Sequence, residues 1–234
     1  MAQLPRAPLS PLGAGEQQLP RELGGYLVRV LRLRAGDTFL LFDPEAGTEA
    51  DAELLRDIPA IVRVGEPRPA ARVTRRELVL LQGFAKGDKP EQVLRAAVAL
   101  GASSVAFVRT ERSVAGAELR HERLRAVMLD AARQCGRGDL PTLLGLVELT
   151  EAVGAARGLL LHMDPNAPES LVDALRTAPR DRAITLAVGP EGGFAAAEVA
   201  ALVAAGFVAV RLAPFVLRTE LAAVAALSVV AAHE

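Results

Sequence analysis

Two stretches decide the fold of this chain: Val188-Gly189-Pro190-Glu191-Gly192-Gly193-Phe194 and Leu217-Arg218-Thr219-Glu220. Each follows an apolar run typical of a buried strand, residues 183–188 for the first stretch and 207–212 for the second. In an open α/β sheet, ligands bind at the carboxyl ends of such strands. Two irregular loops of this kind, close together in the chain, predict a single pocket built largely from backbone groups.

The glycine-rich loop favours a ligand that carries no phosphate. Gly189, Gly192 and Gly193 permit positive φ angles and a close approach to the main chain, and Pro190 stiffens the loop. Glu191 adds a carboxylate, whereas a phosphate cradle requires bare N–H groups and a lysine. The alternative is a turn that only joins a strand to a helix, and a single glycine motif does not exclude it.

Composition sets broad limits on function. The 234 residues are 51% hydrophobic, enough to bury a sizeable core, and the formal net charge of -1 does not indicate a nucleic-acid binder. Arginines nevertheless cluster in residues 21–34 and 109–137, which form either basic patches or ordinary solvated helix faces. The single cysteine excludes a disulfide framework, and no signal pattern or membrane-length apolar span is present, so we expect a cytoplasmic protein without membrane contact.

The pattern of the chain changes near residue 70. A short helix within residues 23–31 and strands at 38–42 and 60–64 predict a small β-rich domain, residues 1–70, with a linker at 65–71. Residues 71–234 then alternate between strands and helices, which predicts an α/β domain with a largely parallel sheet. The strands of this second domain are expected at 78–82, 105–108, 158–162, 183–188 and 207–212.

GPEGGF at 189–194 followed by LRTE at 217–220 resembles the signature of the bacterial 16S ribosomal RNA uridine-N3 methyltransferase family, of the SPOUT class. Supporting segments occur in the same order: LVRVLRL at 27–33, KGDK at 86–89, TERSV at 110–114 and ARQCGR at 132–137. The resemblance implies a PUA-like β-barrel domain and then a methyltransferase domain whose carboxyl end forms a trefoil knot. It also implies S-adenosylmethionine as cofactor, 16S ribosomal RNA of the small subunit as partner, and a homodimer.

By the same resemblance, three loops hold the cofactor, mainly through backbone groups. The implied cofactor-binding residues are Leu161, His162, Gly189, Pro190, Glu191, Gly193, Leu212, Leu217 and Thr219. Side-chain changes in these loops should be tolerated, but bulk at Gly193 should not. The sequence also favours Thr219 as the N-cap of the last helix.

Methylation at N3 of uracil requires loss of the N3 proton, and a guanidinium near O2 or O4 would stabilise the developing anion. Arg112, which follows a strand end, is the first candidate, and Arg218 and Glu220 beside the second loop come next. The candidates for contact with RNA are Arg29, Arg32 and Arg137. The alternative for each residue is a structural ion pair.

Other residues that could in principle carry chemistry give little support for a nucleophile or a metal site. Cys135 lies on the apolar face of a predicted helix, which favours burial over a nucleophilic role. His121, His162 and His233 lack the spacing of metal ligands, so no metal site is expected. The apolar helix at 219–232 is either a dimer face or a core helix of its own chain.

The chain departs from the family pattern at several positions. Tyr26 stands where a histidine is usual, Ala96 and Ala99 replace a lysine and a glutamate, and Phe215 replaces an arginine. These changes leave the cofactor loops largely intact. Two alternatives remain: methylation of another RNA position or of a ribose hydroxyl, and a non-catalytic RNA-binding factor in ribosome assembly, against which the intact motifs argue.

Overall fold

The computed structural model describes residues 4–113 and 118–233, so Val114 of the TERSV segment lies outside the described residues. Contacts within the chain divide it into two compact units. The N-terminal unit comprises Met1–Val73 and Ala132–Leu140, and the C-terminal unit comprises Thr74–Ala131 and Pro141–Glu234. The domain limits 1–70 and 71–234 stay a prediction, because this division also assigns the end of one helix to the first unit.

The N-terminal unit is built on a mixed sheet. Its elements are β1 (Arg6–Pro8), β2 (Gly15–Gln18), α1 (Arg21–Gly25), a π-helical turn (Tyr26–Val30), β3 (Thr38–Asp43), β4 (Thr48–Arg56), β5 (Ile61–Val64) and β6 (Arg68–Pro69). The strands are ordered β1-β3-β4-β5-β2, with β6 paired to β4. Leu27, Phe39, Leu41 and Leu54 are fully buried, and they pack together into the core of this unit.

β4 is the longest of the strands in this unit that the sequence pattern did not predict; the others are β1, β2 and β6. In β4 the charged residues Glu49, Asp51 and Glu53 alternate with apolar ones, but glutamate, aspartate and alanine are all depleted in strands. These carboxylates form ion pairs with arginines of other strands, including Arg68 and Arg63. The segment predicted as a linker therefore contains β6, which lies against β4 and is held there partly by Arg68.

The C-terminal unit alternates between strands and helices, as predicted. Its elements are β7 (Leu78–Gly83), α2 (Lys89–Ala99), β8 (Ser104–Arg109), α3 (His121–Cys135), β9 (Thr142–Glu148), α4 (Leu149–Ala155), β10 (Leu159–Met163), α5 (Leu171–Arg176), β11 (Ile184–Val188), α6 (Ala196–Ala204), β12 (Val208–Val210) and α7 (Thr219–Ala231). The strand order is β12-β10-β11-β7-β8-β9, and each neighbouring pair is parallel.

The strand order reverses beside β7. The chain moves outward from β7 through β8 to β9 and then returns, placing β11 directly against β7. Ligands of open α/β sheets bind outside the carboxyl ends of the strands at such a reversal. The α/β class with a parallel sheet is confirmed, whereas the trefoil knot stays a prediction.

α7 packs within its own unit along one face. Ala222, Ala223, Ala226, Leu227 and Val230 are buried, and the helix contacts α2, α5, β7 and β11. The N-cap of this helix is Arg218, so the prediction that Thr219 caps it is wrong: Thr219 is its first residue. The side chain of Thr219 is buried and forms hydrogen bonds elsewhere.

Across residues 4–113 and 118–233, no helix combines the length and the apolar character needed to cross a bilayer.

Gly158, immediately before β10, should tolerate no side chain. Its φ angle is +83°, and a Cβ atom would lie 2.0 Å from the carbonyl oxygen of Ala183. We expect Gly158→Ala to lower the free energy of unfolding by about 2 kcal/mol or more in urea denaturation. The steric overlap and the strained φ angle both destabilise the folded state, and their costs sum. The control is Gly154→Ala, where a Cβ atom meets no atom within 4 Å; it should change stability by at most about 1 kcal/mol. Equal stability of the two variants would contradict this account.

Asp43, at the end of β3, should make the N-terminal unit sensitive to acid. Burial acts to raise the pKa of this carboxyl, but hydrogen bonds from Ser10 and from the backbone N–H groups of Ala46, Glu45 and Leu12 together hold the pKa below its usual value of 3.8. The stabilisation is therefore fully present above about pH 4 and is lost as the pH falls through the lowered pKa.

At pH 7 we expect Asp43→Asn to reduce the free energy of unfolding by about 1–2 kcal/mol. The difference from the native chain should shrink in denaturation curves recorded below about pH 4. Asp181→Asn, at an exposed carboxylate, controls for loss of a negative charge. If the difference in the free energy of unfolding between Asp43→Asn and the native chain did not change with pH, the lowered pKa of Asp43 would be refuted as its cause.

Candidate functional site

A cavity of about 530 Å³ opens at the carboxyl edge of the parallel sheet. Its wall consists of three loops that follow three adjacent strands: residues 163–165 after β10, residues 188–194 after β11, and residues 212–218 (Pro214 excepted) after β12. Lys89 of α2 and Thr219 and Ala222 of α7 complete the lining. The size lies within the range of small-molecule sites.

One buried hydroxyl connects the parts of this cavity. The Thr219 Oγ1 donates a hydrogen bond to the Gly189 carbonyl oxygen at 2.6 Å and accepts one from Gln82 Nε2 at 2.7 Å. Gln82 lies at the end of β7, Gly189 in the loop after β11, and Thr219 at the start of α7. The contact therefore joins the strand at the reversal, the glycine-rich loop and the last helix.

The glycine-rich loop is a tight turn pressed against β7. The Gly193 N–H donates to the Pro190 carbonyl oxygen at 2.8 Å, and Gly193 has a φ angle of +69°. A Cβ atom on Gly83 would lie 2.3 Å from the Pro190 nitrogen, so only glycine permits this approach at Gly83.

The predicted reasons for the loop glycines need correction. Of the three, only Gly193 has a positive φ angle, and a Cβ atom there meets open space, so the restriction on Gly193 is conformational rather than steric. At Gly192 the restriction is steric, because a Cβ atom there would lie 3.1 Å from the Cδ atom of Arg112. A Cβ atom on Gly189 would likewise lie 3.1 Å from backbone atoms of Gly193 and Phe194.

Arg112 lies directly against the cavity wall. Its Nη1 donates a hydrogen bond to the Gly192 carbonyl oxygen at 2.6 Å. The loop that carries Arg112 is held by Glu198 of α6, whose carboxylate accepts from the backbone N–H groups of Glu111 and Ala195, both at 2.7 Å. Nothing in the sequence pattern marked Glu198, because a glutamate in the first turn of a helix is common.

The rim of the cavity is charged. Lys89 and Glu191 form an ion pair across it. Burial acts to raise the pKa of Glu191, but the hydrogen bond from Lys89 and the charges of Lys89 and Lys86 hold that pKa below its usual value. Arg218 is exposed at the rim and forms no ion pair with any described residue. Glu220 is half-buried, does not line the cavity, and has one carboxylate oxygen without a hydrogen bond from any described residue.

The structure brings most of the implied cofactor-binding residues together but leaves two outside the lining. Those in the cavity wall are Gly189, Pro190, Glu191, Gly193, Leu212, Leu217 and Thr219. Leu161 and His162 lie within β10, as the strand predicted at 158–162 implied. Because β10 continues to Met163 through its pairing with Val210, the first loop begins at Asp164, one residue later than predicted.

His162 is buried in the sheet next to Ala187 and Ala209, and it is 1% exposed. Neither of its ring nitrogens has a hydrogen-bond partner among the described residues. Burial lowers the pKa of its imidazole, against the opposing effect of the Asp164 carboxylate, so the ring is neutral near pH 7.

The candidate RNA-contact residues lie in the N-terminal unit. Arg29, in the π-helical turn, and Arg32, with a φ angle of 59°, are both exposed. Arg137 is 6% exposed and forms a two-pronged ion pair with Asp139, with both distances at 2.9 Å, which favours the structural alternative. Cys135 is half-buried beside the carbonyl oxygen of Ala132.

Sequence reasoning missed several residues of the site. They are Gln82, Gly83, Lys89, Met163, Asp164, Pro165, Ala213, Val216 and Ala222. Gln82 could have been found, since a polar residue at the end of the apolar run LVLLQ has to satisfy its amide in a buried place. Within the described part of the chain, no group of three or more histidine, cysteine or acidic side chains is placed to hold a metal ion.

Comparisons with known proteins agree with this geometry. The family model of an RNA methyltransferase domain matches residues 73–231, and that of an RNA methyltransferase PUA domain matches residues 19–64. Ribosomal RNA small subunit methyltransferase E of Mycobacterium bovis is 34% identical over 226 residues, covering 88% of this chain and 82% of that protein.

This chain belongs to the ribosomal RNA small subunit methyltransferase E family.

Solved structures of the methyltransferase E fold extend the likeness over the whole chain. The Neisseria gonorrhoeae methyltransferase E, bound to S-adenosyl methionine, has a TM-score of 0.85 at 30% identity and covers 97% of this chain and 96% of its own. A methyltransferase from Legionella pneumophila in complex with the same cofactor has a TM-score of 0.86 at 28% identity, covering 99% and 98%. The family resemblance drawn from the GPEGGF and LRTE motifs is confirmed.

The hydroxyl of Thr219 should stabilise this methyltransferase. We expect Thr219→Val, which keeps the shape of the side chain, to lower the free energy of unfolding by about 1–3 kcal/mol, because the Gly189 oxygen loses its donor and Gln82 loses an acceptor. Thr219→Ser keeps the hydroxyl and should lose clearly less. Urea denaturation of the two variants measures this, and a Val variant as stable as the native chain would show that the network contributes nothing.

Proposed function

We propose that this chain transfers a methyl group from S-adenosylmethionine to N3 of a uridine in 16S ribosomal RNA of the small subunit. The observation that carries the proposal is the single cavity formed by three loops at the sheet reversal and held by Thr219. Family membership supports the reaction type, and relatives solved with this cofactor support its identity.

The cavity suits S-adenosylmethionine, which supplies an electrophilic methyl group on a positively charged sulfur. The wall offers apolar side chains from Val188, Leu212 and Leu217 and the backbone groups of a glycine-rich loop. Asp164, an acidic residue of the wall, matches a cationic ligand in sign, whereas the charge of Glu191 is already paired with Lys89. We assign cofactor binding to the predicted residues that line this cavity, with Leu161 and His162 supporting the first loop from within β10. The lining residues assigned in this way are Gly189, Pro190, Glu191, Gly193, Leu212, Leu217 and Thr219.

Two arginines are placed to act on the uracil ring. Arg112 is fixed against the cofactor loop through Gly192, and Arg218 stands on the rim without an ion pair among the described residues. A guanidinium facing O2 or O4 stabilises the negative charge that develops as N3 loses its proton. We assign this role first to Arg112. Glu220 lies behind the rim and fits a supporting role better than direct contact with the substrate.

We further propose that the N-terminal unit contacts the RNA through Arg29 and Arg32, and that the protein acts in the cytoplasm as a homodimer. A dimer is supported by α7, which is apolar on all sides although its own unit buries only one face. Leu221, on the other face, is 51% exposed, and Val224 and Val229 are half-buried. A helix that is hydrophobic all round is normally covered on every side.

The reaction is tested with the purified protein, S-adenosylmethionine and small ribosomal subunits from cells that lack this activity, with mass spectrometry of the nucleosides. We expect one N3-methyluridine per subunit. Arg112→Ala should lower kcat by roughly 100-fold or more, as loss of one charge-stabilising donor typically does.

The matched control is Arg157→Ala, because Arg157 is exposed and precedes β10 at the opposite edge of the sheet. It should leave the rate unchanged. Calorimetry of cofactor binding separates a lost catalytic contact from a disturbed loop in the Arg112 variant. Cofactor binding without methylation of the subunit would refute the proposed target, and a methylated ribose would refute the proposed position.

A further inference from the structure

The rim of the cavity carries an aromatic ring that no described residue of the chain covers. Phe215 lines the cavity, yet it is 81% exposed. The chain has seven phenylalanines and one tyrosine, all among the described residues, and each of the other seven is buried or half-buried. Leu212, Ala213 and Leu217 are half-buried, whereas Pro214, Phe215 and Val216 are exposed, so the tip of this loop projects into solvent and carries the ring with it.

The charges beside this ring fit a nucleic-acid ligand. Arg218, three residues further on, is exposed and lies close enough to Lys89 for their charges to interact. Arg112 reaches the same cavity wall through its contact with Gly192. An exposed aromatic face next to cationic groups is the combination that holds unstacked nucleotides, since the ring stacks on a base while the cations contact phosphate or base oxygens.

The proposed reaction requires an unstacked base. N3 lies on the Watson–Crick edge of uracil, and enzymes that act on a base inside structured nucleic acid bring it out of the stack first. Resting on the function proposed above, we propose that Phe215 is the platform on which the target uracil stacks. Phe215 thereby orients the N3 edge toward the cavity, and it recognises a flat pyrimidine ring without reading its sequence context.

Two other occupants of the ring face make different predictions. If the adenine of the cofactor covered Phe215, loss of the ring would weaken cofactor binding even without RNA. If a second copy of the chain covered it, loss of the ring would change the molecular mass in solution. If the substrate base stacks on Phe215, loss of the ring should change methylation of the RNA and leave cofactor affinity and molecular mass unchanged.

The test compares Phe215→Leu and Phe215→Trp with Val203→Ala, a change in α6 at an apolar residue that is 57% exposed and does not line the cavity. Methylation of small subunits gives kcat/KM for the RNA, calorimetry gives the affinity for S-adenosylmethionine, and light scattering gives the mass. We expect Phe215→Leu to lower kcat/KM by roughly 5- to 150-fold, the range of one lost base–aromatic stack. Phe215→Trp should stay within about threefold of the native chain because it keeps an aromatic ring on which a base can stack. Val203→Ala should also stay within about threefold, because it changes an exposed apolar side chain away from the cavity.

Cofactor affinity and mass should be unchanged in all three variants. A parallel loss of cofactor affinity, or a change of mass, in Phe215→Leu would overturn the inference in favour of the corresponding occupant. Full activity of Phe215→Leu would overturn it while leaving the proposed function intact. Failure of the native chain to methylate the subunit would refute the proposed function and, with it, the role of Phe215.

Discussion

The cavity depends on the hydroxyl of Thr219 more than on any other contact. Three segments far apart in sequence meet at this atom: the end of β7 through Gln82, the loop after β11 through Gly189, and the first turn of α7. Gln82 and Thr219 are buried and Gly189 is half-buried, so the Gln82 amide N–H and the Gly189 carbonyl oxygen need partners within the protein. The hydroxyl satisfies two of them at once, which explains why a small side chain that both donates and accepts occupies the position.

Five of the six strands of the parallel sheet were predictable because they are largely apolar runs, and because glycines such as Gly101 and Gly206 end the helices between them. β9, an edge strand that is mostly exposed or half-buried, was not predicted. β4 was missed because its residues have low strand propensity, while its pairing with β3 and β5 and its buried side chains hold it in the sheet. The cap assigned to Thr219 failed for a related reason. Local preference favours a threonine as N-cap, but a buried tertiary hydrogen bond recruited its side chain instead.

The residues of the site also fall into those that the sequence could predict and those that it could not. The loop at residues 189–193 was predictable from its glycines and its proline, and that loop does line the cavity. Contacts between side chains and loops that are distant in sequence could not be predicted. Arg112 was assigned from a motif, but its hydrogen bond to Gly192 and the hydrogen bond from the Glu111 N–H to Glu198 are known only from the structure. Leu161 and His162 lie in the strand in which the sequence placed them, and the side chains that line the cavity begin at Met163, which pairs with Val210 at the end of β10.

The separation along the chain between Thr219 and its partners has a consequence for folding. α7 supplies this hydroxyl to Gln82 of β7, and one of the two strands that pair with β7 is β11, roughly 100 residues further along the chain. Sheets assembled from such remote pairings form slowly. The cavity is therefore completed only when α7 packs against β7 and β11. A partly folded chain in which α7 has not yet packed would have no finished cavity, so binding of the cofactor is expected to stabilise only the fully folded protein.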